Sequence, residues 1–271
     1  MDVIYHAGCV DGFTSAYTVW LKHPQANFHP GTFGPPPPEL EPDAEVVIVD
    51  FSYPRDDMLR LARTAKSVVI LDHHLTAKEH LTDLPENCQC VIDMDRSGAA
   101  ITWDHFFNGQ ERTPLIEYVQ DNDLWTRALP GTLAVSAYLR SRKMTFETWL
   151  KLDVQMQRDM ARVLDLGQAI LERQEQIIDE TICNARDFCV DGFMVKGVAS
   201  PYSLGSEIAG RLAKGKPFGL YYIDKPNERQ FGLRSDDDGL DVAHLAEKFG
   251  GGGHKHASGF SVPLEHPLAK A

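Results

Sequence analysis

Ser67 to Leu75 reads SVVILDHHL, an apolar run of strand length that stops at Asp72 and delivers His73 and His74 directly after it. Runs this rich in β-branched residues mark strands buried on both faces of a parallel sheet. Glu45 to Ser52, EVVIVDFS, repeats the pattern and stops at Asp50. Asp2 to His6, DVIYH, gives a shorter third strand ending at His6, and the following AGCVDGFTSA sets Asp11 at a strand-to-helix turn. Three parallel strands then bring His6, Asp11, Asp50, Asp72, His73 and His74 to one edge, where open α/β sheets place their sites.

Charge says what such a cluster is for. Several carboxylates a few ångströms apart repel, and they stay ionised together at neutral pH only with cations between them. Oxygen ligands with one or two imidazoles suit Mn²⁺ or Mg²⁺ better than a thiolate-seeking ion. Two such ions about 4 Å apart polarise a phosphoryl group and acidify a water. The expected chemistry is metal-assisted hydrolysis of a phosphoester or phosphoanhydride.

Asp72-His73-His74 after an apolar strand, the upstream His6-Ala-Gly-Cys9-Val-Asp11-Gly12, the strand-terminal Asp50 between them and Gly250-Gly-Gly-Gly-His254 near the C-terminus occur in an order that resembles the DHH phosphoesterases with the DHH-associated C-terminal domain. That family includes nanoRNases, RecJ-type exonucleases and linear-dinucleotide phosphodiesterases, and the resemblance covers nearly the whole chain. It implies an N-terminal parallel-sheet catalytic domain and a smaller C-terminal α/β domain on a mixed sheet. It also implies that Asp50 bridges two ions, with Asp11 and His6 completing one side and His73 and Asp123 the other. Asp72 would orient the histidines and His74 would contact the bridging phosphate or water. Asp121 and Asp123, in Asp121-Asn-Asp-Leu-Trp125, both satisfy the spacing of the last metal ligand, with Asp123 preferred. Ser97 and Arg96 face the substrate phosphate in this reading, while Ser97 equally fits a helix N-cap.

Cys9 departs from the family's first motif, which supplies two acids spaced D-x-D where this chain has Cys9-Val10-Asp11. Either Cys9 is a thiolate ligand that draws the site towards softer ions, or His6 compensates, or one metal position is weaker. A neutral, packed thiol is the plain alternative.

With 43% hydrophobic residues, 271 residues can bury a substantial core. No apolar run approaches the roughly 20 residues that span a bilayer, and the N-terminus lacks a basic signal-peptide region, so the expected location is cytoplasmic. Five scattered cysteines fit reduced thiols. A net charge of −12, from 27 basic and 39 acidic residues, argues against a protein that tracks long nucleic acid. A short substrate gripped at its ends fits better, and the resemblance implies a short RNA or a linear dinucleotide such as pGpG or pApA.

Along the chain, helices are expected over Phe13–Lys22 and Pro54–Ala65, and from Ser97-Gly98 through Phe107. FHPGTFGPPPPELEPDAE, with Pro35 to Pro38, is expected to be a loop, either a plain surface connection or a semi-rigid lid. Arg127 to Lys143 reads as mixed, with a turn at Pro130-Gly131. From Thr145 to about Asn184 an apolar stripe runs through a helix with no proline. Its charged face is most simply solvated, and a homodimer contact along the stripe is the alternative. The expected division is 1–150 catalytic and metal-binding, 151–187 helical connector, and 188–271 substrate-binding. In the last part a hairpin at FCVDGFMVKGVASP precedes a helix from Ser203 to Lys214 and the paired strands FGLYYID and RQFGLRSDD, and Leu240–Phe249 is a further helix. Arg234, at a strand end, can make bidentate bonds to a terminal phosphate. Gly251, Gly252 and Gly253 let backbone amides approach a ligand closely, with His254 beside them. The resemblance implies that Arg234 and this loop hold the substrate's far end. His256 is a further donor, and Asp236 to Asp238 read as an exposed turn.

Overall fold

The structure, a computed structural model, describes residues 1–32, 34–74, 77 and 81–270. Leu75, much of the polar segment after it, and Phe33 in the proline-rich connection lie outside the described residues. The chain divides into two units, Met1–Leu171 and Glu172–Ala271.

The first unit is built on a five-stranded, all-parallel sheet, β1 (Asp2–His6), β2 (Asn27–Gly31), β3 (Glu45–Val49), β4 (Ser67–Asp72) and β5 (Cys88–Ile92), in the order β2-β1-β3-β4-β5. The apolar runs are continuous because both faces are covered. Ile4, Val46, Ile48, Val68 and Ile70 pack with Met58 and Leu61 of α2 (Arg55–Thr64). Val3, Val47, Val49 and Leu71 pack on the other face with Val19 of α1 (Val10–Lys22) and Ile101 of α3 (Gly98–Phe106). The register aligns Ile4 with Ile48 and Ile48 with Ile70. Two residues further on, the same row places His6, Asp50 and Asp72 at the carboxyl edge. The chain leaves β1 in both directions, to β2 on one side and β3 on the other, and that topological switch is where such sheets open a crevice.

Four features differ from expectation. β2 overlaps the start of the stretch read as loop; among the described residues it is an edge strand paired only with β1, and an edge tolerates Pro30. The long helix is two, α6 (Phe146–Arg158) and α7 (Met160–Ile182), because Asp159 leaves helical geometry (φ −150°, ψ 68°) and its carboxylate accepts from the Arg162 amide as a new start. Thr132–Arg140, within the stretch read as mixed, is a regular helix, α5, entered through the left-handed Gly131. The first helix begins at Val10 rather than Phe13, so Asp11 lies in its first turn. Besides α5 to α7, the remaining helix of this unit among the described residues is α4 (Pro114–Asp123), and a cluster around Phe13, Tyr17, Trp103, Leu115 and Trp149 joins these helices to α1 and α3.

The second unit carries a six-stranded mixed sheet, β10-β11-β9-β8-β7-β6. β6 (Arg186–Val190) and β7 (Phe193–Ala199) form the expected hairpin, turned by Asp191 and Gly192 at φ 50° and 84°, the left-handed pair of a type I′ turn. β7 and β8 (Gly219–Asp224) run parallel and are joined through α8 (Tyr202–Ala213). β8 pairs antiparallel with β9 (Glu228–Arg234), followed by α9 (Val242–Glu247), β10 (Gly252–His254), β11 (Ala257–Pro263) and α10 (Pro267–Lys270).

Candidate metal centre

Asp50 is the middle of the site. It follows β3 directly, is 1% exposed, and holds a left-handed backbone (φ 64°) that a non-glycine residue adopts only when its surroundings enforce it. Its amide donates to Leu71 O, which anchors it to β4. Its two oxygens face different partners: Oδ2 lies 3.2 Å from His6 Nδ1 and Oδ1 lies 3.1 Å from His73 Nε2. One carboxylate thus touches both halves of the cluster. His73 Nε2 is also 3.7 Å from Asp11 Oδ2 and 3.5 Å from Asp123 Oδ2. Among the described residues, ligand atoms converge in three groups: His6, Cys9 and Asp50; Asp50, His73 and His74; and Asp11, His73 and Asp123.

Asp11 has a second task. The amides of Gly98 and Ala99 donate to its Oδ2 and Oδ1 at 2.7 and 3.0 Å, so this carboxylate caps α3. Two glycines permit the approach. A Cβ on Gly98 would lie 2.7 Å from Asp50 Cβ and Oδ1, and one on Gly12 would lie 2.3 Å from the His6 carbonyl oxygen and 3.0 Å from Asp50 Oδ2. The sequence offers Gly12 as a turn and Gly98 as a helix start. Their closeness to Asp50 is visible only once the strand ends are assembled.

Asp72 is fully buried and does not join the three ligand groups. Its Oδ1 accepts from the His73 and His74 amides at 2.7 and 3.1 Å and lies 2.8 Å from His74 Nδ1, while Oδ2 is buried without a hydrogen-bond partner among the described residues. It holds the backbone of both histidines and the ring of His74. The ring of His6 stacks on the buried Phe51, 5.8 Å between centroids.

Asp121, the other candidate ligand, is not brought into the three groups. Its carboxylate accepts from the Ala128 and Leu129 amides at 2.9 and 3.1 Å and from the Thr132 hydroxyl, while Asp123 turns to His73. Residues two apart on a helix face opposite sides, so only one of the pair can reach the cluster. Ser97 is fully buried and caps α3, its hydroxyl accepting from the Ala100 amide at 3.3 Å; Arg96 pairs with Asp93 and Asp104.

Burial, with the charges of Asp50 and Asp123, holds the Asp11 carboxyl well above the usual carboxylate range. Burial also raises Asp123, against the attraction of His73. Asp50 moves the other way: burial pushes it up, but hydrogen bonds to His6 and His73 outweigh that and hold it ionised. The same contact raises His73 despite its burial, and Asp72 raises His74. Burial and the charges of Asp50 and Asp11 push the Cys9 thiol up, so the protein without cations holds it neutral. Protons thus occupy a cluster of oxygen and imidazole donors, and this donor set fits divalent cations.

In the second unit, Arg234 ends β9. It donates from Nη1 to Leu233 O at 2.7 Å and from Nη2 to the Ser206 hydroxyl, and burial lowers the pKa of its guanidinium. His254, Ala257 and Arg234 occupy one row across β10, β11 and β9. The four glycines have separate uses. Gly250 is left-handed (φ 75°) beyond α9; Cβ atoms on Gly251 and Gly253 would meet the Gly259 and Ala257 carbonyl oxygens at 2.1 and 2.6 Å; Gly250 and Gly252 face open space, with nothing within 4 Å of a Cβ. His256 Nδ1 lies 3.1 Å from the Ser235 hydroxyl, and Asp236 to Asp238 are an exposed turn.

No protein-family model matches the chain. It is 27% identical to the uncharacterized protein R106 of Acanthamoeba polyphaga mimivirus, across 96% of this chain and 66% of that protein. It is 30% identical over 106 residues to oligoribonuclease NrnB of Bacillus subtilis (strain 168), 37% of this chain and 26% of that one. The chain thus spans about two thirds of the first relative's length and about a quarter of the second's. Its structure is similar to that of PggH, a pGpG-specific phosphodiesterase from Vibrio cholerae, with a TM-score of 0.55 at 14% identity over 97% of this chain and 94% of that one. The two share a fold. Among the described residues, no helix is long and apolar enough to cross a membrane.

Proposed function

We propose that the chain is a metal-dependent phosphodiesterase of the DHH type that hydrolyses short oligoribonucleotides to mononucleotides, linear dinucleotides such as pGpG or pApA foremost. The observation that carries this reading is the Asp50 carboxylate, with one oxygen towards His6 and the other towards His73 and the ligand groups on either side of it. The fold shared with a pGpG-specific phosphodiesterase and the sequence similarity to an oligoribonuclease support it.

Asp50, His6, Asp11, His73 and Asp123 would hold two divalent ions, Mn²⁺ by preference and Mg²⁺ as the substitute. When bound, such ions acidify a water and offset the charge of a phosphodiester. The protein supplies position. Asp72 fixes the direction of the His74 imidazole and anchors the His73 backbone, the left-handed turn at Asp50 presents its oxygens to both sides, and the Gly98 and Ala99 amides hold Asp11 still. His74, held by Asp72, stands ready to donate a hydrogen bond to a phosphoryl oxygen. Cys9, neutral and half-buried, fills the place of a second acid, and His6 serves that side as the nitrogen donor.

The test is product release from 5′-phosphorylated RNAs of two, three, five and twenty nucleotides with Mn²⁺, for wild type and His73→Ala. The expected result is rapid conversion of the dinucleotide to mononucleotides, slower turnover as length grows, and loss of activity in the variant. Turnover of none of the four would overturn the reading, and release of orthophosphate from pyrophosphate or polyphosphate would then replace it.

A further inference from the structure

Two residues beyond Asp123 stands the most exposed large apolar side chain described, Trp125, 74% accessible. Leaving an indole in water forgoes stabilisation that burial would supply, so such a ring calls for an explanation. The backbone around it is strained as well: Trp125 and Arg127 both have left-handed φ angles, 57° and 49°, which bulky residues adopt only when held there. The loop is held. Asp121, buried, accepts the Ala128 and Leu129 amides and the Thr132 hydroxyl, the Arg127 amide donates to Asp121 O at 3.0 Å, and Tyr118 donates to Pro130 O at 2.9 Å. The Arg127 guanidinium sits 4.1 Å from the Trp125 ring centroid, covering one side of the indole with a cation, and the overall exposure leaves the other side open.

We infer that Trp125, backed by Arg127, is a stacking platform for a nucleobase of the substrate whose phosphodiester lies at the Asp50–Asp123 centre. The inference rests on the phosphodiesterase reading and names the part of the substrate that the metal centre leaves unrecognised. Trp125 is within about 7 Å of Asp123 along the chain. A base is joined to its phosphate through one sugar, so a phosphate at Asp123 leaves the adjoining base within reach of residue 125. An indole face with a guanidinium behind it suits any base, because every base has a π face, and purines most because they overlap more of the ring. Rigid backbone presentation lowers the entropy lost when the base docks.

The experiment compares kcat/KM for a 5′-phosphorylated dinucleotide and for the same diester with one base removed, in wild type, W125A and W125F, and titrates tryptophan emission with guanosine monophosphate against ribose 5-phosphate. Wild type is expected to favour the base-bearing substrate. In W125A that preference falls about tenfold, mainly through KM, while the aromatic W125F keeps most of it. Guanosine monophosphate quenches wild-type emission more than ribose 5-phosphate does, and W125F abolishes the difference. A wild type that cleaves the dinucleotide and a W125A of unchanged preference would overturn the platform and leave the phosphodiesterase standing; that is also the result expected if Trp125 contacts a protein. A wild type that cleaves neither substrate would defeat the phosphodiesterase reading instead. The quenching then decides the platform, and equal responses to the two phosphates would overturn it.

Discussion

Replacing Gly98 by alanine tests whether the centre is as tightly assembled as the distances indicate. At the first position of a helix this exchange ordinarily stabilises, by up to about 1 kcal/mol, because alanine loses less backbone freedom on folding. Here the new methyl would meet Asp50 Cβ and Oδ1 at 2.7 Å and Cα at 2.9 Å, about 1 Å inside normal contact. Asp50 has no room to yield: it is buried, left-handed and bound to Leu71, with His6 and His73 at its two oxygens. Helix α3 must retreat instead, stretching the 2.7 and 3.0 Å bonds from Gly98 and Ala99 to Asp11. Overpacking of this kind costs about 1–3 kcal/mol, so the net expectation is a loss of about 1–2 kcal/mol, or a fall in Tm of roughly 3–8 °C. A shift of about 1 Å at a catalytic group lowers turnover about a hundredfold. Gly210→Ala in α8 is the control, since a Cβ there meets nothing within 4 Å and the same exchange should stabilise by about 0.5–1 kcal/mol. Urea denaturation of both variants, with hydrolysis of a dinucleotide in Mn²⁺, checks the pair. A Gly98→Ala protein as stable and as active as wild type would refute the reasoning.

With a chelator present at pH 7.5, Asp123→Asn should raise Tm: burial holds this carboxyl above its ordinary range, so its stabilising protonated form is lost as pH climbs through the folded value, and the gain should vanish below the ordinary carboxylate range. Mn²⁺ should then raise the wild-type Tm by more than the variant's, which keeps the donors around Asp50; equal shifts in thermal melts would count against Asp123 as a ligand. Asp104 shows the opposite sign. Burial raises it, but Arg112 and Arg96 together hold it below 3.8, so its contribution is present above the unfolded value and disappears as pH falls through the folded one. Circular dichroism during acid titration should show Asp104→Asn less stable than wild type at neutral pH, with the difference closing at low pH.

The strand-terminal residues His6, Asp50 and Asp72 were readable because a parallel strand buried on both faces announces itself as an apolar run, and a common register makes the ends of such runs neighbours. The rest depended on contacts with no local signature. Asp121 and Asp123 differ only in which way a helix is rolled. Asp11 gives no hint in sequence that its partners are amides 87 and 88 residues away. Asp159 breaks a helix that its neighbours favour, and β2 survives a proline because it lies at an edge. The run Gly250 to Gly253 divides in a way the sequence does not signal: Gly251 and Gly253 lie against β11, while Gly250 and Gly252 face open space.

Because the carboxylate of Asp11 grips the first two amides of α3, those amides double as a gauge of the centre's charge. Nitrogen and proton resonances of Gly98 and Ala99 would move as Asp11 changes state, whatever the reaction proves to be. The arrangement also warns the geneticist. Loss of function from a change at residue 11 confounds a ruined centre with an uncapped helix, whereas His6, which touches Asp50 from an open strand end, can be altered with the scaffold left largely in place.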